Sequence, residues 1–115
     1  MSNDIIRPTR WYSNRQEKAI AKAIGGKKNA NSGAGAFVKG DVSTDKWLIE
    51  AKTCTTEKKS FSIKREWLDK NKEEAFAMNK RHNALCFDFG DNGDRFYVIS
   101  EKEFKNYMEI LDGVD

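Results

Sequence analysis

Proline and histidine occur once each, and cysteine twice, in a chain of 115 residues. Glycine and proline together reach only nine residues, so disorder is expected at the ends and in one loop and nowhere else. Cys54 and Cys86 form at most one bridge, which excludes a disulfide-framed mini-protein. They show no CxxC spacing and no histidine cluster that would hold zinc, and they read as buried, reduced thiols. Long apolar runs are also missing. Stretches such as Ala84 to Phe87 fall far short of the roughly 18 residues a membrane span needs. The N-terminus carries no charged start followed by an apolar stretch, so a soluble, cytoplasmic chain without a membrane partner is expected.

What remains is 38% hydrophobic and 34% charged residues, enough for one compact domain over 1–115 and not for two. The net charge of +3 is unevenly spread: residues 1–70 hold 15 Lys/Arg against 8 Asp/Glu, or +7, while residues 71–115 hold 6 against 10, or −4. That polarity suits a first part laid on a phosphate backbone, and equally an ordinary solvated surface.

Ser13 and Gln16 match a capping box, opening an amphipathic helix through Ala19, Ile20, Ala23 and Ile24 that ends at glycine. Glu17 lies three and seven residues before Ile20 and Ile24, near the stripe that faces inward. A carboxylate there either finds a partner, such as a lysine, or swings out to solvent. Residues 25–35 are a basic, small-residue loop. Ala36 to Val42 and Trp47 to Lys52 read as antiparallel strands around the polar turn Ser43 to Lys46. Ser62 is expected to cap a helix from about Ile63 to Arg81, with Trp67, Leu68, Ala75 and Met78 on its apolar face. Ala84 to Phe89 and Phe96 to Ile99 form a hairpin about the turn at Asp91 to Asp94, and Ser100 with Glu103 opens a last helix through Phe104, Tyr107, Met108 and Leu111. The order predicts an α/β fold with helices flanking one mixed sheet.

Alternation along a strand puts Glu50 and Lys52 on one face, roughly 6.5 to 7 Å apart along the backbone, with Ile49 and Ala51 on the other. Acid-x-lysine is a cheap pattern, repeated at Glu57/Lys59 and Glu103/Lys105. Only the first copy ends an apolar strand, and only it follows a Gly-Asp pair, Gly40-Asp41, across a short turn. If Asp41 and Glu50 converge beside a main-chain carbonyl, that of Ala51, they make an all-oxygen site suited to Mg²⁺ or Mn²⁺. Such a metal polarises a phosphate oxygen and activates water, while Lys52 orients that water or stabilises developing charge, the chemistry of phosphodiester hydrolysis.

Asp41 with Glu50-Ala51-Lys52 resembles the PD-(D/E)xK nuclease superfamily, with Gly40 where the family name has proline. More narrowly, residues 13 to about 80 resemble small Holliday junction resolvases of the archaeal and phage type. The similar features are a first-helix Glu, a Ser-Gly loop, Gly-Asp-Val, Leu-Ile-Glu-Ala-Lys and a basic Ser-Phe-Ser-Ile-Lys segment. The resemblance implies a restriction-endonuclease-like domain and a homodimer that cuts branched DNA at two sites. It makes Asp41, Glu50, Lys52 and Glu17 catalytic, with Glu17 a further metal-ligand candidate, and it assigns Ser32 and its loop to the scissile strand. A phage-encoded chain would act in the host cytoplasm.

Lys27, Lys28, Lys58, Lys59, Lys64 and Arg65 flank the site and are candidate phosphate contacts, as is Ser62 at its helix start. Trp47, Trp67, Phe87, Phe96 and Phe104 are expected in the core, and Trp11 and Tyr12 ahead of the first helix as a staple, a dimer contact or a base-stacking pair. His82 reads as a surface residue or a dipole complement at a helix end. Two other functions fit the same residues: a nicking or repair nuclease of the superfamily, and a basic DNA-binding module without hydrolysis.

Overall fold

The computed structural model describes residues 7–29, 42–90 and 93–113. Asp41 and Ser32 lie outside the described residues, as does the predicted strand segment 36–41.

Helix α1 spans Thr9–Ile24. It begins four residues before the expected Ser13, because nothing from Arg10 to Asn14 opposes helix and the extended Pro8 supplies the entry. Ser13 lies inside the helix and not at its N-cap, so the expected capping box at Ser13 and Gln16 does not form, and Trp11 and Tyr12 sit inside the helix too. Gly25, at φ 69°, ends it in the left-handed conformation that glycine adopts at least cost, with its N–H bonded to the Ala21 carbonyl. Part of the expected loop is ordered as strand β1 (Lys27–Lys28), which pairs antiparallel with β2 (Val42–Ser43).

Strand β3 (Trp47–Lys52) runs antiparallel to β2, with Val42 opposite Ile49, and the Thr44 hydroxyl accepts the Trp47 N–H at 3.0 Å to close the turn. Helix α2 (Arg65–Ala77) then crosses over so that β4 (His82–Phe87) lies parallel to β3, as a parallel pair requires. α2 is shorter than expected at both ends. Lys64, not Ser62, occupies its N-cap, with extended backbone and no side-chain cap bond. Asn79, at φ 63°, turns the chain out, and Lys80 N–H bonds back to the Ala75 carbonyl. His82 is therefore the first residue of a strand and not a helix end; its ring stacks on Trp47 with centroids 4.8 Å apart and its Nδ1 pairs with Glu103.

β5 (Phe96–Val98) closes the expected hairpin against β4, and the sheet order is β1-β2-β3-β4-β5. Helix α3 (Glu101–Asp112) starts at Ser100, whose Oγ accepts the Glu103 N–H at 3.2 Å, as the capping pattern anticipates. The result is a small α/β domain with a five-stranded mixed sheet and three helices.

Alternation divides the sheet into two faces. Val42, Ile49, Ala84 and Cys86 form the core against Ile20 of α1, while Leu48 and Leu85 point the other way, beside Asn71 and Ala75 of α2. Each fully buried aliphatic side chain contributes about 1.5 to 3 kcal/mol. Asn71 is buried too, its Oδ1 accepting from Asn83 Nδ2 at 2.8 Å. Trp47, Trp67 and Phe87 are half-buried, whereas Phe96 and Phe104 are exposed and do not belong to the core. The reason is position: β5 is an edge strand, and no residue of α3 is buried. Both cysteines are free and buried. Among the described residues no helix is long and apolar enough to cross a membrane.

Candidate functional site

β3 brings Glu50 and Lys52 together as its alternation predicts. Glu50 Oε2 lies 2.9 Å from Lys52 Nζ, and the Glu50 side chain is only 8% exposed. Its other oxygen, Oε1, is buried without a hydrogen-bond partner among the described residues. That arrangement is expensive unless something supplies positive charge, because a carboxylate removed from water needs its lone pairs met. Lys52 meets one oxygen and leaves the second as an unsatisfied anionic acceptor.

The amine is itself positioned. Lys52 Nζ stands 4.4 Å from the centroid of the Trp67 ring, and Lys64 Nζ stands 5.7 Å from the same centroid. Trp67, expected only as core, thus offers its negative face to the ammonium from the first turn of α2. Phe61 and Phe87, stacked at 4.7 Å, extend this aromatic wall on the α2 side of the sheet.

A second cluster, which sequence reasoning missed, pins the end of β3. Gln16 Nε2 donates to the Lys52 carbonyl at 2.8 Å and to Asp88 Oδ2 at 3.1 Å. Two acceptors on one amide nitrogen settle which way the amide points, since the carbonyl oxygen could serve neither. Asp88, buried just beyond β4, also accepts from Thr53 Oγ1 at 3.3 Å and from the Gly90 N–H at 2.9 Å. Gly90, at φ 83°, is required: a Cβ there would sit 2.2 Å from the Thr56 carbonyl oxygen. Gln16, Asp88 and Thr53, with Tyr12, Arg15 and Arg95, line a cavity of about 100 Å³. The sequence signals were an acid in the apolar run 84–89 and a glutamine on the inward stripe of α1.

Glu17 is buried, as its place on the inward stripe anticipates, and its carboxylate lies 3.8 Å from Lys28 Nζ. Lys28 also donates to Asn14 Oδ1 at 2.8 Å. This pair joins α1 to β1, whereas Glu50 and Lys52 face α2. Ala51 is half-buried against the core, in register with Cys86.

The remaining candidates are exposed. Lys27 lies on β1, and Lys58, Lys59 and Ser62 lie between β3 and α2, where the Lys58 N–H bonds to the Phe89 carbonyl. Ser62 has no capping role. Arg65 and Asp69 are 3.6 Å apart but highly exposed, a pair that contributes little. Lys27 and Lys28, Lys58 and Lys59, and Lys64 and Arg65 thus form three basic pairs outside the core.

Burial pushes the Cys54 thiol up, with Lys58 pulling the other way, and pushes Cys86 up to about 11. Neither thiol is an activated nucleophile. Among the described residues no group of three His, Cys, Asp or Glu side chains could hold a metal ion. The feature that fits a hard cation is Glu50 Oε1, a buried carboxylate oxygen lacking a donor among the described residues. Val42, the residue after Asp41, is paired with Ile49, the residue before Glu50. No family model, no curated protein and no solved structure matches the chain.

Proposed function

We propose that this chain is a Mg²⁺- or Mn²⁺-dependent, structure-selective DNA endonuclease that resolves four-way junctions, built on a restriction-endonuclease-like core. The observation that carries this reading is the Glu50 carboxylate, buried, with one oxygen on Lys52 and the other without a donor among the described residues. Glu50, the Ala51 carbonyl and Asp41 are the residues that would hold the metal, while Glu17, paired with Lys28 on the α1 side, stands apart from them. Asp41 enters because it directly precedes the residue paired with Ile49. When bound, the metal supplies Lewis-acid activation of a phosphodiester and lowers the pKa of water.

The chain's own groups do the rest. The Lys52 ammonium, held by Glu50 and the Trp67 face, hydrogen-bonds either the attacking water or a non-bridging phosphate oxygen as negative charge develops. The clamp from Gln16 fixes the backbone from which Lys52 projects. The three basic pairs, with Ser62 and Ser32, position phosphates and carry no base sequence, which suits recognition by DNA shape. Six such contacts give a salt slope of roughly −5 in log K against log[salt]. Paired nicks at a junction call for two sites, hence a homodimer.

The test incubates a labelled four-way junction, a linear duplex and single-stranded DNA with each metal, and sizes the products. Symmetric paired nicks on the junction alone are expected, lost in Asp41→Ala while junction binding is kept or improved. Binding without any cleavage would leave a basic DNA-binding module, and cleavage of simpler duplexes would leave a nicking or repair nuclease. Unchanged cleavage by Asp41→Ala would remove the metal assignment.

A further inference from the structure

Helix α3 has an apolar row that its own domain does not use. Phe104, Met108 and Leu111 recur at i, i+4 and i+7 and so share one face. They are 56%, 46% and 74% exposed. Among the described residues no other helix or strand lies against the α3 backbone. The helix meets the sheet through side chains on its adjacent face: Tyr107 stacks over Trp47 at 6.2 Å, and Glu103 pairs with His82. Beside it opens an apolar groove of about 470 Å³ lined by Ile24, Trp47, Ile49, Ala84, Tyr97 and Ile99.

Charge narrows the choice of partner. α3 bears Glu101, Glu103, Glu109 and Asp112 against Lys102 and Lys105, within the acidic half of the chain, and so repels a phosphate backbone. It suits a copy of itself. Lys105 and Asp112 lie seven residues apart on one flank of the apolar row, and neither makes an ion pair among the described residues. In an antiparallel, two-fold pair of α3 helices the row meets its own reverse, Phe104 against Leu111. Lys105 of each copy then lies two residues, or ~3 Å, along the axis from Asp112 of the other, within reach of a lysine side chain, so the symmetry makes each contact twice.

Size agrees. With Tyr97 (41%), the exposed part of these side chains is roughly 500 Å² per copy and about 1,000 Å² over two, the lower limit for a specific interface.

We propose that α3, together with the groove beside it, is the surface on which a second copy of this chain docks, antiparallel helix to helix. The surface faces away from Glu50 and Lys52, which lie on the α2 side of the sheet, so pairing leaves them uncovered. The inference shares only the homodimer with the proposed function and uses none of its hydrolytic chemistry: a monomer throughout would also remove the preformed homodimer, while a dimer indifferent to α3 would leave the reading of Glu50 and Lys52 standing.

The test is sedimentation of the full chain without DNA or metal, at concentrations from 1 to 100 µM as an order of magnitude for an interface of that size. A species of twice the 13.2 kDa chain mass is expected. Leu111→Glu should raise the dissociation constant at least about tenfold with its circular dichroism spectrum and Tm in the dilute, monomeric range unchanged. Lys105→Asp should weaken pairing and Lys105→Asp with Asp112→Lys should restore it, an exchange that a surface elsewhere would not register. A monomer throughout the range would overturn the proposal, and so would a dimer indifferent to Leu111→Glu. A large loss of monomer stability in Leu111→Glu would also overturn it, by showing that the chain covers this face with its own residues.

Discussion

Replacing Gln16 with leucine tests the clamp that holds the end of β3. The change keeps side-chain volume close to native and removes two hydrogen bonds, to the Lys52 carbonyl at 2.8 Å and to Asp88 Oδ2 at 3.1 Å. A bond to a neutral carbonyl contributes about 0.5 to 1.5 kcal/mol and one to a charged group about 1.5 to 3 kcal/mol. Asp88 keeps the Gly90 N–H and the Thr53 hydroxyl, which places its loss at the low end. Leucine also removes Gln16 Oε1, buried without a partner among the described residues, and that offsets part of the cost. The net expectation is a loss of about 2 kcal/mol, or a fall in Tm of roughly 8 °C for a domain of this size. Urea unfolding followed by fluorescence of the three tryptophans measures it. Asp88→Ala completes a double-mutant cycle, with an expected coupling of at least about 1 kcal/mol. A loss below about 0.5 kcal/mol, or strict additivity of the two changes, would refute the clamp. If the clamp also orients Lys52, Gln16→Leu lowers the cleavage rate at temperatures where the protein is fully folded.

Cys86 titrates at about 11 in the folded protein against 9.0 unfolded, mainly through burial. An acid whose folded pKa is raised keeps its full contribution below pH 9 and loses it as pH rises toward 11; the loss is at most about 3 kcal/mol, read from urea midpoints between pH 8 and 11. Neither Cys86 nor Cys54 should react with a thiol reagent at pH 8 until the protein unfolds, and a fast native reaction would contradict their burial. Gly90→Ala forces a Cβ against the Thr56 carbonyl at a positive φ and should cost about 2 to 4 kcal/mol in a thermal melt. Ser100→Ala should cost about 1 kcal/mol because its Oγ caps α3, whereas Ser62→Ala should change stability by less than about 0.5 kcal/mol and instead weaken DNA binding.

The contrast between Ser100 and Ser62 shows what short-range pattern can carry. Both precede helical stretches, yet only Ser100 has its N3 amide within reach, because two residues, Ile63 and the extended Lys64, separate Ser62 from α2. The strand pattern at 47–52 and the 84–99 hairpin were legible because period-two alternation is a property of a few consecutive residues. Glu50 and Lys52 were legible for the same reason, and they meet at 2.9 Å. The ends of α2 were not, since Asn79 stops it by a left-handed turn that the local composition does not demand.

From its order alone, then, this chain determined an α/β element sequence, two buried thiols and one carboxylate-amine pair on a strand, and it left Glu17 at the edge of the inward stripe with its partner open. Tertiary structure decided what stands around that pair. Gln16 reaches Lys52 across 36 residues and Asp88 across 72, and Trp67 comes under the ammonium only after α2 has crossed the sheet. It also left Phe104, Met108 and Leu111 outside the core that their spacing suits. Local chain geometry acts over one or two turns and is written in neighbouring residues. Which apolar stripe finds a partner, and which polar group loses its water, depends on layers brought together from distant parts of the chain.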